Sequence, residues 1–491
     1  MKLETLAAAA SAQVLQAPAA PVEITGICCD SRIVKPGNLF AALLGAKQDG
    51  EHFARQAAER GAAAILTENP KLLTALPQLV CPDARLGLAL MAREFFGRPD
   101  EKLKLGAVTG TNGKSTTAYL VRHLMQQGGR RCGMLGTIEY DLGSEKIEAP
   151  LTTPESLHLQ SYLRKMADAG CDSAFMEASS HALCQNRLAG LDFSVAVFTN
   201  LTQDHLDYHR TMKSYREAKA NLFRNLSRNA TAILNRDDEA SDYYASRTPA
   251  KVLGYSLNAA KGAQLCGRIR RMDIHGTQFQ MDTPWGNRFV TWGLVGAHNV
   301  QNCLGAVAAV VEMGVPFDSV IQALKTFAGV PGRLEPVGDT PELRAPFRVL
   351  VDYAHTDDAL RSVMRALKEL RPSRLITVFG CGGDRDRTKR PKMAKAVEEM
   401  ADLGIITSDN PRTEQPEAII SEIWQGIKQQ QKFIVEADRA KAIDMAIREA
   451  REGDVVLIAG KGHENYQIFG TEKRHFSDTE QAAQAIKRHC A

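Results

Sequence analysis

The clearest chemistry in this chain lies in ten residues, Val108-Thr-Gly-Thr-Asn-Gly-Lys-Ser-Thr-Thr117. An apolar run over residues 103–108 leads in and predicts a buried strand. A helical pattern follows, with Leu120, Val121, Leu124 and Met125 on one face. Strand, Gly-rich turn and helix together make a phosphate cradle. Gly110 and Gly113 accept backbone angles that other residues resist, so the N–H groups of Thr111, Asn112 and their neighbours can close around an anion. The positive end of the helix dipole adds to this. Lys114 would reach terminal phosphates, and Ser115, followed by Thr116, would offer a hydroxyl to Mg²⁺. A strict P-loop has Gly where Val108 stands, so the match is to a shortened form.

Further polar groups recur at predicted strand ends. Residues 173–177 read as a strand ending in Glu177, followed by Ala-Ser-Ser-His181. Residues 195–199 form another, leading to Asn200, Asp204, His205 and Asp207. Glu177 and His205 could hold a metal near the γ-phosphate, with Asp204 and Asp207 as neighbours. An amphipathic helix then carries Tyr215, Arg216, Lys219 and Leu222. Lys219 either balances phosphate charge or loses its proton and reacts. Beyond Pro331-Gly332-Arg333, four strands (348–351, 375–379, 403–407, 455–459) each run into a polar cluster. These are Asp352-Tyr-Ala-His355, Gly382-Gly-Asp-Arg385, Asp409-Asn-Pro-Arg412 and Gly460-Lys-Gly-His-Glu464. Fixed guanidiniums suit carboxylate capture, and Glu464, after a flexible turn, suits an ammonium. ATP in one domain and a zwitterionic amino acid in the next imply carboxylate activation followed by capture with an amine, which is amide ligation.

The elements that position these groups alternate between strand and helix, which predicts parallel sheets with ligands at strand C-termini. The 491 residues allow about three domains. The fold class expected is α/β in three parts: a small α/β domain over 1–97, a central P-loop ATPase domain with a parallel sheet over 98–333, and a C-terminal Rossmann-like α/β domain over 334–491. Residues 250–295 read as a small insertion of short alternating strands. In the first part Asp30-Ser31-Arg32 follows a strand, and Lys47-Gln48-Asp49-Gly50 lies in a loop. Taken alone, that segment is ordinary turn chemistry.

Composition excludes other classes. The formal net charge of +4 is small for this length and gives no argument for nucleic acid or an anionic membrane. No run has the apolar length to span a bilayer. The ten cysteines have no metal-ligand spacing, so free thiols in a reducing cytoplasm are expected. The Ala-rich residues 7–20 are too broken by polar residues and Pro18 for a secretion signal, and a loosely held first helix is expected there.

The motifs, in this order and spacing, resemble the Mur ligases, ATP-dependent enzymes that add amino acids to the peptidoglycan precursor. The resemblance covers nearly the whole chain. It rests on Asp30-Ser-Arg32, Gly110-Thr-Asn-Gly-Lys114, Glu177-Ala-Ser-Ser-His181, Tyr215-Arg-Glu-Ala-Lys219, His298-Asn299 with Asn302, and the four C-terminal clusters. It implies that Lys219 is carbamylated by CO₂ to N6-carboxylysine, an anionic metal ligand. Glu177, His205 and that carbamate would hold one Mg²⁺ and Ser115 another, with Lys114, Lys219 and His205 catalytic. Cys29, Ser31, Ala46, Lys47 and Gln48 would meet the uridine end of a UDP-muramoyl dipeptide. Thr152, Thr153, Ser179, Gln185 and Arg187 would hold its peptide end. Asn302, Arg333 and Asp352 would close over ATP. Arg385, Asp409, Asn410, Pro411, Arg412, Gly460 and Glu464 would bind the incoming amino acid. Within the family the Asp-Asn-Pro-Arg form accompanies meso-diaminopimelate, whose second carboxylate Arg412 would answer. Addition of diaminopimelate to UDP-N-acetylmuramoyl-L-Ala-D-Glu through an acyl phosphate is therefore expected, by a monomer, with hinges near residues 97 and 333. Two departures stand out: Ser115 where Thr is usual, and Asp357 where Pro is frequent. The rivals are a lysine-adding homologue, a folylpolyglutamate synthetase, which would not need Asp30-Ser-Arg32 or Asp409-Asn-Pro-Arg412, and a nucleotide-switched binding module.

Overall fold

The computed structural model describes residues 1–16, 20–45, 49–72, 74–274, 276–340 and 343–490. The chain divides into two compact units, Met1–Leu265 with Asn302–Ala323, and Cys266–Gln301 with Leu324–Ala491.

The first unit holds two sheets. The smaller runs Gln13–Leu15, Gln78–Val80, Ala64–Thr67, Asn38–Ala41, Gly26–Cys28, parallel except for the first pair. The larger has six parallel strands in the order Lys251–Ser256, Thr231–Asn235, Phe193–Phe198, Lys104–Thr109, Ser173–Glu177, Cys132–Leu135. Two short antiparallel strands, Glu139–Asp141 and Lys146–Glu148, extend it. Lys104–Thr109 lies between Ser173–Glu177 and Phe193–Phe198, so the phosphate loop leaves from the middle of the sheet. The helix after it, Lys114–Gln127, buries Leu120, Val121, Leu124 and Met125 as expected. Each such side chain contributes about 1.5–3 kcal/mol on burial.

Two expectations change. The Ala-rich start is tied down: helix Leu3–Ala9 buries Leu3, Leu6 and Ala7, and Gln13–Leu15 pairs with Gln78–Val80. Only three apolar anchors were needed, too few to stand out among alanines. Strand Lys251–Ser256 belongs to the parallel sheet, because four consecutive buried residues make it a two-sided strand. The alternating insertion is the later antiparallel meander Leu265–Asp273, Gly276–Thr283, Gly286–Trp292.

The second unit is built on a six-stranded sheet, Glu335–Thr340, Leu343–Asp352, Val455–Ala459, Leu375–Phe379, Leu403–Ile406, Phe433–Val435, parallel after its first pair. One face is covered by helices Asp357–Glu369, Lys389–Met400 and Pro416–Trp424, the other by Arg439–Glu449 and Asp478–His489. Parallel strands with both faces covered read as continuous apolar runs, as these do. All four predicted polar clusters leave from one sheet edge. Asp357 opens its helix behind the cap Thr356, which accepts from Ala359 N at 3.2 Å. That first position suits Pro and acidic residues alike, so the departure there keeps the helix start.

Candidate active site

The phosphate loop is held by the residues that follow the neighbouring strand Phe193–Phe198. Thr111 N donates to Asn200 O at 2.8 Å, Asn112 N to Asn200 Oδ1 at 2.9 Å, and Thr199 Oγ1 to Asn112 O at 2.6 Å. A side chain at Gly110 would overlap the Thr199 hydroxyl, and one at Gly113, where φ is +84°, would overlap Asn302 Oδ1. Asn302, on helix Ala297–Glu312, is thus brought to the loop from nearly two hundred residues away. Lys114 curls over its own loop, Nζ donating to Gly110 O at 3.0 Å and Thr111 O at 2.9 Å. Ser115 and Thr116 are buried in the first turn of the helix.

Glu177 pairs in register with Val108, one position before the loop begins. Its carboxylate accepts from Thr137 N at 2.9 Å and Thr137 Oγ1 at 3.0 Å. Lys219 is 1 % exposed, and its Nζ donates to Gly110 O at 2.9 Å. Burial, and then the charge of Lys114, push its pKa well below the usual lysine value. CO₂ reacts with the unprotonated amine, and a buried lysine with a lowered pKa at the phosphate loop is of the kind that fits a carbamate. His205 has φ +51°, and its ring lies 6.1 Å from that of Tyr215, whose hydroxyl is 3.3 Å from Thr111 Oγ1. Among the described residues no three His, Cys, Asp or Glu are gathered as a metal cage. Mg²⁺ needs none, since it takes one or two protein oxygens and completes its shell with phosphate and water. A buried hydroxyl at Ser115 and an oriented carboxylate at Glu177 are donors of that kind.

Next to this lies a second group. Thr153 Oγ1 donates to Glu177 O at 2.7 Å and contacts Ser179 Oγ at 3.1 Å. Thr152 and Thr137 share a 3.2 Å hydroxyl contact. Arg187 donates to Thr153 O at 2.9 Å and to Gln185 Oε1 at 2.7 Å, and pairs with Glu155 at 2.7 Å. Burial lowers the Arg187 pKa and Glu155 partly restores it. Cys29 and Ser31 line a cavity of about 570 Å³ with Arg32, Phe40, Phe53 and Gln56. Ser31 Oγ contacts Gln56 Oε1 at 2.6 Å. Ala46, Lys47 and Gln48 lie outside the described residues.

In the second unit, Asp352 accepts from Leu334 N at 2.8 Å and Ala354 N at 2.9 Å, and burial raises its pKa. The Arg333 guanidinium stands 5.3 Å from the Tyr353 ring. Arg385 and Arg412 both pack at Gly382, and Arg412 Nη1 donates to Gly383 O at 2.8 Å. Arg412 has φ +54°, a cost of roughly 1–3 kcal/mol kept at this loop. Gly460 has φ +121°, and a Cβ there would meet Asp409 Oδ2 at 2.7 Å. The Gly-Lys-Gly turn is therefore tightly packed, not flexible. Glu464 Oε2 accepts from Asn410 Nδ2 at 2.9 Å. Burial alone would raise the Asp409 carboxyl, but the charges of Lys461 and Arg439 outweigh it and hold it below the usual range.

Sequence reasoning missed Thr137, Thr199, Asn200 and Lys461 as site-builders. Gly136-Thr137 and Thr199-Asn200 each end a strand of the phosphate-loop sheet, and that position was the available signal.

Three family models match the chain: the Mur ligase family catalytic domain at residues 23–94, the Mur ligase middle domain at 108–310, and the Mur ligase glutamate ligase domain at 332–462. A Bacillus velezensis protein described as UDP-N-acetylmuramoyl-L-alanyl-D-glutamate–2,6-diaminopimelate ligase is 43% identical, with 99% of each chain covered. A Gloeobacter violaceus protein of the same description is 44% identical over 95% of this chain and 94% of its own. A solved structure of a protein so described superposes with a TM-score of 0.72 at 36% identity, covering 95% of this chain and 96% of that one. Phosphate loop, buried lysine and amino-acid-like cluster therefore stand in a chain that belongs to the Mur ligase family of ATP-dependent ligases.

Proposed function

We propose that this chain joins meso-2,6-diaminopimelate to the D-glutamate γ-carboxylate of UDP-N-acetylmuramoyl-L-alanyl-D-glutamate, forming ADP and phosphate, as a cytoplasmic monomer in peptidoglycan precursor synthesis. The observation that carries this reading is the pair Arg385 and Arg412, both packed at Gly382, beside the Asp409, Asn410 and Glu464 cluster. One end of the amino acid meets carboxylates, and a further carboxylate finds a guanidinium in a fixed fork. The domain divisions at 97 and 333 belong to the same reading.

In this mechanism the phosphate-loop N–H groups and Lys114 hold the ATP phosphates and oppose the charge that develops on the transferring phosphoryl group. Ser115, Glu177, His205 and a carbamylated Lys219 would hold two Mg²⁺ ions, which when bound supply charge neutralisation at the phosphates. Asn302 would meet the nucleotide beside the phosphate loop, and Arg333 and Asp352, in the second unit, are assigned to the nucleotide. Thr152, Thr153, Ser179, Gln185 and Arg187 hold the dipeptide so that its carboxylate oxygen accepts the γ-phosphoryl group. The bound amine then attacks the acyl carbon, and phosphate leaves. Exclusion of water preserves the acyl phosphate until attack.

Phosphate release with ATP and the nucleotide dipeptide, adding diaminopimelate, L-lysine or neither, tests the reading. Release with diaminopimelate only is expected. Release with L-lysine would keep the ligase and remove the assignment of Arg412. No release with either would return the question to a folate ligase or a nucleotide switch.

A further inference from the structure

Lys461 is fully buried, at 0 % exposure, between Gly460 and Gly462, both at positive φ. These angles turn its side chain beneath the loop. Its Nζ lies 3.0 Å from Asn410 Oδ1, 3.4 Å from Asp409 Oδ1 and 3.6 Å from Glu464 Oε2. The Tyr466 ring closes the other side at 5.7 Å. The Asn410 side-chain oxygen also accepts from Ile468 N at 3.1 Å, and its amide donates to Glu464. One ammonium therefore joins two loops that leave different strands, about fifty residues apart in sequence.

We infer that Lys461 is a positioning residue for the incoming amino acid, acting through Glu464. This rests on the amino-acid assignment proposed above. The argument is electrostatic. Asp409 is buried, and Glu464 shares with it the same ammonium. Without that cation the two carboxylates would keep only the charge of Arg439, which is already paired with Asp478 at 2.6 Å, and like charges in so poorly solvated a space repel. The more exposed one, Glu464, would swing away, while Asn410 would lose one of the two contacts to its side-chain oxygen and keep that of Ile468 N. Lys461 thus leaves Glu464 fixed, with carboxylate capacity to spare for a substrate ammonium. Buried within this network, the lysine is itself out of reach of substrate.

The test is steady-state kinetics of Lys461→Met, Glu464→Gln and the double variant, with each substrate varied in turn. Lys461→Met should raise KM for diaminopimelate about tenfold or more, while KM for ATP and for the nucleotide dipeptide moves less than about twofold. The double variant should be little worse than the poorer single variant, because both act through one carboxylate. Equal rises in all three constants, an unchanged diaminopimelate KM, or single effects that multiply would each overturn the inference. If Lys461→Met does not unfold cooperatively, Lys461→Gln takes its place with the same criteria; if neither folds, Lys461 serves stability alone and the inference falls. Wild-type enzyme inactive with diaminopimelate would instead sink the underlying reading, so the two failures are separable.

Discussion

Lys219 donates from Nζ to the carbonyl oxygen of Gly110 across 2.9 Å, joining a helix to the phosphate loop over 109 residues. The amine is buried, and burial, followed by the charge of Lys114, pushes its pKa well below the usual lysine value. A lysine that merely balanced phosphate would stay charged and wet.

Protein equilibrated with ¹³CO₂ should show a carbamate carbon signal that is lost in Lys219→Ala. Turnover of that variant should fall by about 10²–10³-fold, the range for removing one preorganised charged group at a reacting centre. A persisting signal in Lys219→Ala would place the modification elsewhere.

Gly113 and Gly129 make a controlled pair. Both have positive φ, +84° and +79°, but a Cβ meets Asn302 at the first and nothing within 4 Å at the second. Gly129→Ala should cost about 1–2 kcal/mol of stability, the left-handed backbone penalty alone, with ATP KM unchanged. Gly113→Ala should cost at least as much and raise ATP KM about tenfold or more. Denaturant titration with initial-rate kinetics reads both.

Arg412→Ala should raise KM for diaminopimelate by about 10²-fold while leaving that for ATP nearly unchanged, the loss expected when a buried charge partner is truncated. Equal rises in both would count against a role in amino-acid selection.

Glu414 is held down at about 2, first by its hydrogen bonds from Arg390 and then by Asp384 N. An ordinary glutamate titrates near 4.5. The folded pKa is the lower, so the contribution is complete above about 4.5 and is lost as pH falls toward about 2. Glu414→Gln should be less stable than wild type by about 2 kcal/mol at neutral pH, a typical charge-assisted hydrogen-bond loss. The gap should narrow as pH falls from 5 to 2. A gap that stays constant over that range would rule out the ion pair as its source.

Gly97 and Arg98, then Gly332 and Leu334, all have positive φ at the proposed hinges. If the domains close on their ligands, the radius of gyration from X-ray scattering should fall when a non-hydrolysable ATP analogue and the nucleotide dipeptide are added together. An unchanged radius would remove the hinges.

The phosphate loop was legible in the residues because its conformation is local: glycines permit the turn, an apolar run makes the strand, and one helical face buries itself. The four C-terminal clusters were legible for a related reason, since parallel strands send their carboxyl ends to one edge. The first helix was misjudged because two buried leucines and one alanine, not its propensity, hold it in place. Asp357 looked like a break in pattern and proved to be a helix start. What residues alone could not reveal was which charges are buried together. Lys461 read as part of a flexible turn, and only the packing of Gly460 against Asp409 shows it turned inward among Asp409, Asn410 and Glu464. Ionic partners of this kind are chosen by through-space distance across separate strands, and no spacing along the chain encodes that distance.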